Sequence, residues 1–226
     1  MELWLDSTDE QIITDAANFG ILTGVTTNPS ILSKAQSDPE TVLRRLLDMQ
    51  PGYVAVQVTA ENLAGMIKQA EALSKLSSDN RVIVKIPACR EGFKAMAHVK
   101  RQGILTLATA VFETKQLILS ALAGTDYIAP YFNRIQNSTG NALAVLKEMQ
   151  ETIVAQNFSI KILAAAIHSS QHLIDCARIG IPAVTVPAKI YSDLFACSAD
   201  VEKSLDQFKE NWLHNNATAS ARLFAY

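Results

Sequence analysis

Apolar positions in this chain follow two recurring patterns that take turns. Short runs rich in valine, isoleucine, leucine and alanine read as strands, and longer stretches with apolar residues three and four apart read as helices. Residues 2–6 (E-L-W-L-D) alternate apolar and polar, with Leu3 and Leu5 on one face. A helix follows, capped by Ser7 or Thr8, with Ile12, Ala16 and Phe19 on one face and Gly20 at its end. The pattern then predicts strands over residues 24–28, 53–59, 81–87, 104–111, 127–132, 161–167 and 183–187. A helix opens at Asp38-Pro39 with Val42, Leu43, Leu46 and Leu47 as its buried stripe. Others are expected over 62–77, 91–101, 114–123 and 142–156, and from a Ser169 cap to Arg178.

Strands that each precede a helix at near-regular spacing, with no break in composition, predict a single α/β domain over residues 1–226. Its architecture is a closed parallel (β/α)8 TIM barrel. An open doubly wound sheet would carry a glycine-rich turn after its first strand, and D-S-T-D is not one. Residues 201–226 are expected to form a C-terminal helical arm. Within it, 201–212 predicts an extra amphipathic helix with Val201, Leu205, Phe208 and Trp212 in one stripe. That helix either folds back on its own barrel or packs on a neighbouring subunit.

The fourth strand, R-V-I-V-K-I-P, carries one residue at odds with its neighbours. Its β-branched run suits a strand covered on both faces, yet Lys85 sits within it, and lysine is among the residues least often buried. A buried ammonium loses hydration, so its pKa falls and the neutral amine becomes available as a nucleophile. The alternative is a lysine at the strand's end, with its head in water and its stem on apolar surface.

Composition narrows the setting. Hydrophobic residues make up 49% of the 226, enough for a sizeable core, and the net charge of −2 comes from mixed acids and bases. No basic footprint for nucleic acid is present. No apolar run reaches the ~18 residues of a membrane span, and M-E-L-W-L-D does not read as a signal peptide. Cys89, Cys176 and Cys197 are widely spaced and never in C-x-x-C, which suits a reducing cytoplasm better than a disulfide framework. Cys89 lacks a visible histidine partner and reads as a packing cysteine. His168 and His172 have a zinc-compatible spacing, but no glutamate lies between them as in H-E-x-x-H and no third ligand is evident, so no metal is expected.

In such a barrel the active site lies where the strands end. Asp6 ends the first strand, Thr26 and Asn28 the second, Gln57 and Thr59 the third, and Lys85 the fourth. Thr109 ends the fifth, and Tyr131 with Arg134 the sixth. Thr59 is open to a plainer reading, as the cap of the helix that follows. A carboxylate, an amine, a phenol, two amides and a guanidinium converging on one rim make a reaction centre.

These residues also carry a resemblance. L-D-S-T, G-V-T-T-N-P-S at 24–30, V-K-I-P at 84–87, A-T-A-V in the fifth strand and A-P-Y-F-N-R at 129–134 resemble the transaldolase family, and within it the small fructose-6-phosphate aldolases. The resemblance runs from Met1 to about Trp212. It implies that Lys85 is the Schiff-base lysine, that Asp6 handles the sugar hydroxyl proton, and that Asn28 binds the donor's hydroxyls. It also implies that Gln57 and Thr109 hold a catalytic water and that Tyr131 moves the enamine proton, with Thr26 and Arg134 in the substrate site. No cofactor is implied. The partners it implies are a sugar or sugar-phosphate substrate and further copies of the chain in a pentamer or decamer.

Transaldolases, which hand dihydroxyacetone to another aldehyde, usually show Glu at the position of Gln57 and Phe at that of Tyr131. Gln with Tyr is the aldolase pattern, and a phenol can donate a proton where a phenyl ring cannot. The expected activity is therefore aldol cleavage of fructose 6-phosphate to dihydroxyacetone and glyceraldehyde 3-phosphate. Transaldolase is the second reading, and a non-catalytic sugar-phosphate-binding barrel the third. One stretch departs from the family: A-A-S, an apolar residue and then Lys or Arg become Ala164-Ala165-Ala166-Ile167-His168. A hydroxyl is lost and a fixed cation becomes a histidine, which weakens the expected phosphate site.

Overall fold

The structure is a computed structural model that describes residues 1–35 and 37–215. In chain order the elements are β1 (Glu2–Asp6), α1 (Glu10–Phe19), β2 (Leu22–Thr26), α2 (Pro29–Leu32), α3 (Pro39–Met49), β3 (Tyr53–Gln57) and α4 (Leu63–Ser74). There follow β4 (Val82–Pro87), α5 (Arg90–Lys100), β5 (Thr106–Val111), α6 (Thr114–Leu122), β6 (Tyr127–Pro130), α7 (Phe132–Thr139) and α8 (Ala142–Gln156). The series ends with β7 (Lys161–Ala164), α9 (Ser170–Arg178), β8 (Ala183–Val186), α10 (Ala188–Asp193) and α11 (Ala199–Asn215). All strand pairs are parallel, and β1 pairs with both β2 and β8, so the sheet closes as an eight-stranded barrel in sequence order. Met1–Tyr191 form one compact unit and the chain from Ser192 a second.

Alternation along the strands divides the core in two. Side chains on one face meet the helices in a large cluster that includes Leu5, Val25, Val84, Ile86 and Ala108. Those on the other face fill the barrel: Trp4, Ala55, Ile83, Leu107, Tyr127, Ala129, Leu163 and Ala183. This two-sided burial explains why the strands read as continuous apolar runs.

The first residues of several strands close the N-terminal end. Trp4 stacks on Tyr53 with ring centroids 5.9 Å apart and meets Tyr127 edge-on at 5.7 Å. The Glu2 carboxylate accepts hydrogen bonds from Trp4 Nε1 (3.1 Å), Tyr127 Oη (3.2 Å) and Lys161 Nζ (2.7 Å). Burial, followed by the Glu2 charge, pushes the Tyr127 phenol well above its ordinary range. Gly24 makes room for Trp4, since a Cβ there would lie 2.7 Å from the indole and 2.6 Å from the Tyr53 carbonyl oxygen.

Several expected boundaries move, each for a local reason. The cap of α1 is Asp9, whose side chain accepts from Gln11 N and Ile12 N, while Ser7 Oγ accepts from Asp9 N. Its buried face is Ile13 and Ala16, and Phe19 is 61% exposed. β2 stops at Thr26 because Asn28 turns to cap the short α2, which the sequence reading lacked. α7 and α10 were also absent from that reading, and β6 ends at Pro130 because Tyr131 already heads α7. β7 ends at Ala164, two residues before Ala166 takes a left-handed φ of 56°. Thr59 does not cap α4: Asn62 does, and the Gln69 side chain holds Thr59 instead. Cys89 is exposed at the head of α5 rather than packed, and the buried thiol is Cys176, pushed up to about 12 by burial. In α11, Val201, Leu205, Phe208 and Trp212 are exposed, and Asp200 and Glu202 lie in the first turn, where the helix dipole favours them. No helix among the described residues is long and apolar enough to cross a membrane.

Trp4 is fully buried and is the largest side chain in the barrel interior. Trp4→Ala is expected to lower unfolding stability by about 3–5 kcal/mol. Urea denaturation checks this, and a loss below about 1 kcal/mol would mean that the interior collapses around the vacancy.

Candidate active site

At the opposite, C-terminal end the strand ends surround a cavity of ≈ 670 Å³. Its lining includes Asp6, Thr26, Asn28, Gln57, Lys85, Tyr131, Arg134 and Thr185. The same alternation that places Ile83 inside the barrel places Lys85 there one layer higher. Lys85 is 6% exposed, and its Nζ donates to the Thr27 carbonyl oxygen at 2.7 Å. Its head is therefore not in water, which removes the alternative of a lysine with its amine in solvent. Burial pulls the Lys85 pKa down, and the negative charge of Asp6 pulls the other way.

Asp6 ends β1 beside Thr26, its partner in strand register. Thr26 Oγ1 donates to Asp6 Oδ1 at 2.7 Å and lies 2.7 Å from Thr185 Oγ1. Thr185, the polar residue of A-V-T-V in β8, is a site residue the sequence reading passed over. Its signal was an inward-facing hydroxyl in an otherwise apolar strand. Asn28 Oδ1 accepts from Ile31 N at 2.9 Å, so the amide oxygen is occupied by the cap of α2 and the amide Nδ2 remains as a donor. Gln57 pairs with Lys85 in register, and its side chain has no hydrogen-bond partner among the described residues.

Thr109 is buried and shares a 2.7 Å hydrogen bond with the Tyr131 hydroxyl. Phe112 meets the Tyr131 ring edge-on at 5.7 Å, and the Arg134 guanidinium carbon lies 4.8 Å from its centroid. The phenol is thus fixed at its oxygen and against its ring. Arg134 itself is exposed, in the first turn of α7 rather than at a strand end.

Backbone strain gathers at the same rim. Ala110 (φ 57°) and Ala166 (φ 56°) both line the cavity in left-handed conformations that cost about 1–2 kcal/mol each for a residue with a Cβ. Gln116 holds the first of them. Its Nε2 donates to the carbonyl oxygens of Ala110 and Ala88, both at 3.0 Å, and its Oε1 accepts from Phe112 N and Glu113 N. One side chain thereby ties the turn after β4 to the turn after β5. His168 also lines the cavity, beside Ala166. His172 Nδ1 accepts a 3.4 Å contact from His168 N, its ring packs 4.5 Å from Phe132, and burial followed by the His168 charge lowers its pKa.

The sequence model of the Transaldolase/Fructose-6-phosphate aldolase family matches residues 3–224. A probable transaldolase of Coprothermobacter proteolyticus is 33% identical over 212 residues, 94% of this chain and 96% of that protein. One of Lactiplantibacillus plantarum is 33% identical over 218 residues, 96% and 99% of the two chains. Among solved structures, orotidine 5'-monophosphate decarboxylase from Methanocaldococcus jannaschii superposes with a TM-score of 0.60 at 16% identity. That match covers 93% of this chain and 96% of the other, a likeness of fold alone.

The opposed effects on Lys85 fix the sign of a titration. Asp6 raises the Lys85 pKa, so Asp6→Asn removes that support and is expected to free the amine at lower pH. The rate at which a small amine-reactive reagent labels Lys85, followed by peptide mass spectrometry against pH, measures the midpoint. A midpoint that stays fixed or moves upward would mean the two groups are not coupled.

Proposed function

The chain belongs to the transaldolase/fructose-6-phosphate aldolase family, and on that premise we propose that it is a class I aldolase acting through a Schiff base at Lys85. The reaction is reversible cleavage of fructose 6-phosphate, or a related ketose, into dihydroxyacetone and an aldehyde, here glyceraldehyde 3-phosphate. The observation that carries the reading is Lys85 itself: a buried amine of lowered pKa in a cavity that also holds a carboxylate and a phenol.

The amine adds to the C2 carbonyl, and loss of water leaves an iminium. Asp6 takes the proton of the C4 hydroxyl, the C3–C4 bond breaks, and its electron pair moves into the iminium to give an enamine. The aldehyde departs. Tyr131 delivers a proton to C3, and water adds to the resulting iminium to release dihydroxyacetone and restore the amine. Thr109 holds the phenol in place, and Gln57, with its amide uncommitted, is available to hold the water. Asn28 Nδ2 serves the donor's hydroxyls, and Thr26 holds Asp6 beside them. A barrel that merely bound sugars would have no use for an amine whose burial disfavours its charge.

The names of the relatives favour transfer to a second aldehyde as the other reading. The phenol at 131 supports hydrolytic release, because protonation of the enamine diverts the fragment from a second acceptor. Borohydride added with dihydroxyacetone or fructose 6-phosphate is expected to inactivate the enzyme and add mass at Lys85. Lys85→Met should fold but not turn over, and labelling at another lysine would sink the mechanism. Tyr131→Phe should depress release of free dihydroxyacetone more than transfer; equal losses would remove Tyr131 as the point where the two activities part.

Arg134, Asn133 and His168 line the cavity with Ala166, which offers a methyl group and no hydroxyl. Among the described residues the phosphate end therefore has one permanent cation, and the preference for phosphorylated over plain substrates should be modest. An Ala166→Ser, His168→Lys double variant is expected to lower KM for fructose 6-phosphate and leave that for dihydroxyacetone nearly unchanged. The measurement is the ratio of kcat/KM for phosphorylated and plain substrates in both proteins, and an unmoved ratio would place the phosphate elsewhere.

A further inference from the structure

We infer that Thr185 is a positioning residue that, through Thr26, fixes the Asp6 carboxylate and leaves its Oδ2 as the oxygen that accepts the substrate's proton. The inference rests on the aldolase reading of the site, and it follows from counting protons. Thr26 Oγ1 makes two contacts of 2.7 Å, one to Asp6 Oδ1 and one to Thr185 Oγ1, but it owns a single hydrogen. An ionised carboxylate only accepts, so that hydrogen belongs to the bond with Asp6. The second contact must then be supplied by the hydroxyl of Thr185. The chain of donors has one direction, from Thr185 to Thr26 to Asp6.

Burial makes this order durable. Thr26 is 1% exposed and Thr185 2%, so little of either residue is open to water. Hydrogen bonds in series polarise one another, and the one that ends on a charge is the strongest. Asp6 Oδ1 is committed to this chain, whereas Oδ2 has no partner among the described residues, and Asp6 lines the cavity. The committed oxygen sets the carboxylate plane, and the uncommitted one retains its lone pairs for the substrate hydroxyl. With its hydrogen spent on Thr26, Thr185 offers the cavity only an acceptor.

Removing the far hydroxyl should loosen the near carboxylate without touching it. In Thr185→Val the Thr26 hydroxyl loses its donor and can rotate away from Asp6. The expected result is a fall in kcat for cleavage of about tenfold to a hundredfold, the scale of a small misplacement of a catalytic group. KM and the rate of borohydride trapping at Lys85 should stay near wild type, because imine formation does not call on that orientation. Thr185→Ser, which keeps the hydroxyl, should restore most of kcat. Thermal unfolding of both variants accompanies the kinetics. A Val variant with wild-type kcat overturns the inference, as does a Ser variant no better than Val, or a Val variant whose trapping slows in step with its kcat. Failure of the wild-type enzyme to be trapped at Lys85 would instead overturn the aldolase reading on which this one stands.

Discussion

An ammonium group taken out of water loses several kcal/mol of hydration, while one hydrogen bond to a charged group returns about 1.5–3 kcal/mol. Lys85 is buried and has one such bond, to the Thr27 carbonyl. Burial therefore lowers the Lys85 pKa, and the charge of Asp6 works against it. The rest of the rim depends on this imbalance. A carboxylate in direct contact with Nζ would have favoured the charged form more strongly. Instead Asp6 is tethered to Thr26, with its influence on Lys85 exerted as charge alone.

Much of this was legible in the sequence because the barrel converts strand position into site position. Once β4 is recognised as a strand buried on both faces, the period of two puts Ile83 and Lys85 inside together. Asp6, Thr26, Gln57 and Lys85 fell into place by the same rule. Less legible was whatever depended on how the chain leaves a strand. Asn28 and Tyr131 read as strand residues, but each heads a helix, because Pro29 stops one strand and Pro130 the other. Thr185 was missed because a single threonine in A-V-T-V passes for an ordinary β-branched strand residue. Only the 2.7 Å contact with Thr26, across a strand boundary closed by the barrel, gives it a role.

The strained positions illustrate a second limit on sequence reading. Nothing in A-T-A-V or A-A-A-I signals a left-handed alanine, since alanine has no preference for that conformation. The structure keeps Ala110 there because Gln116 spends all four of its hydrogen-bonding capacities on the surrounding backbone. The strain is local and its restraint sits on a neighbouring helix, so the shape of the rim next to Thr109 depends on a residue that does not line the cavity. Glycine packing works similarly at Gly92, where a Cβ would fall 1.8 Å from the Pro87 carbonyl oxygen, so α5 can seat itself directly on the end of the strand that carries Lys85.

The sealed N-terminal end has a bearing on traffic. Trp4, Tyr53, Tyr127 and the Glu2–Lys161 pair fill the N-terminal end, while Lys85 lies in the cavity at the C-terminal end, so that cavity is its approach from solvent. In the proposed reaction the fragment bonded to the amine is the inner one, and the aldehyde lies between it and solvent. The outer fragment must leave first. Product inhibition should then be asymmetric: an excess of aldehyde recaptures the bound enamine, while an excess of dihydroxyacetone competes for the empty amine.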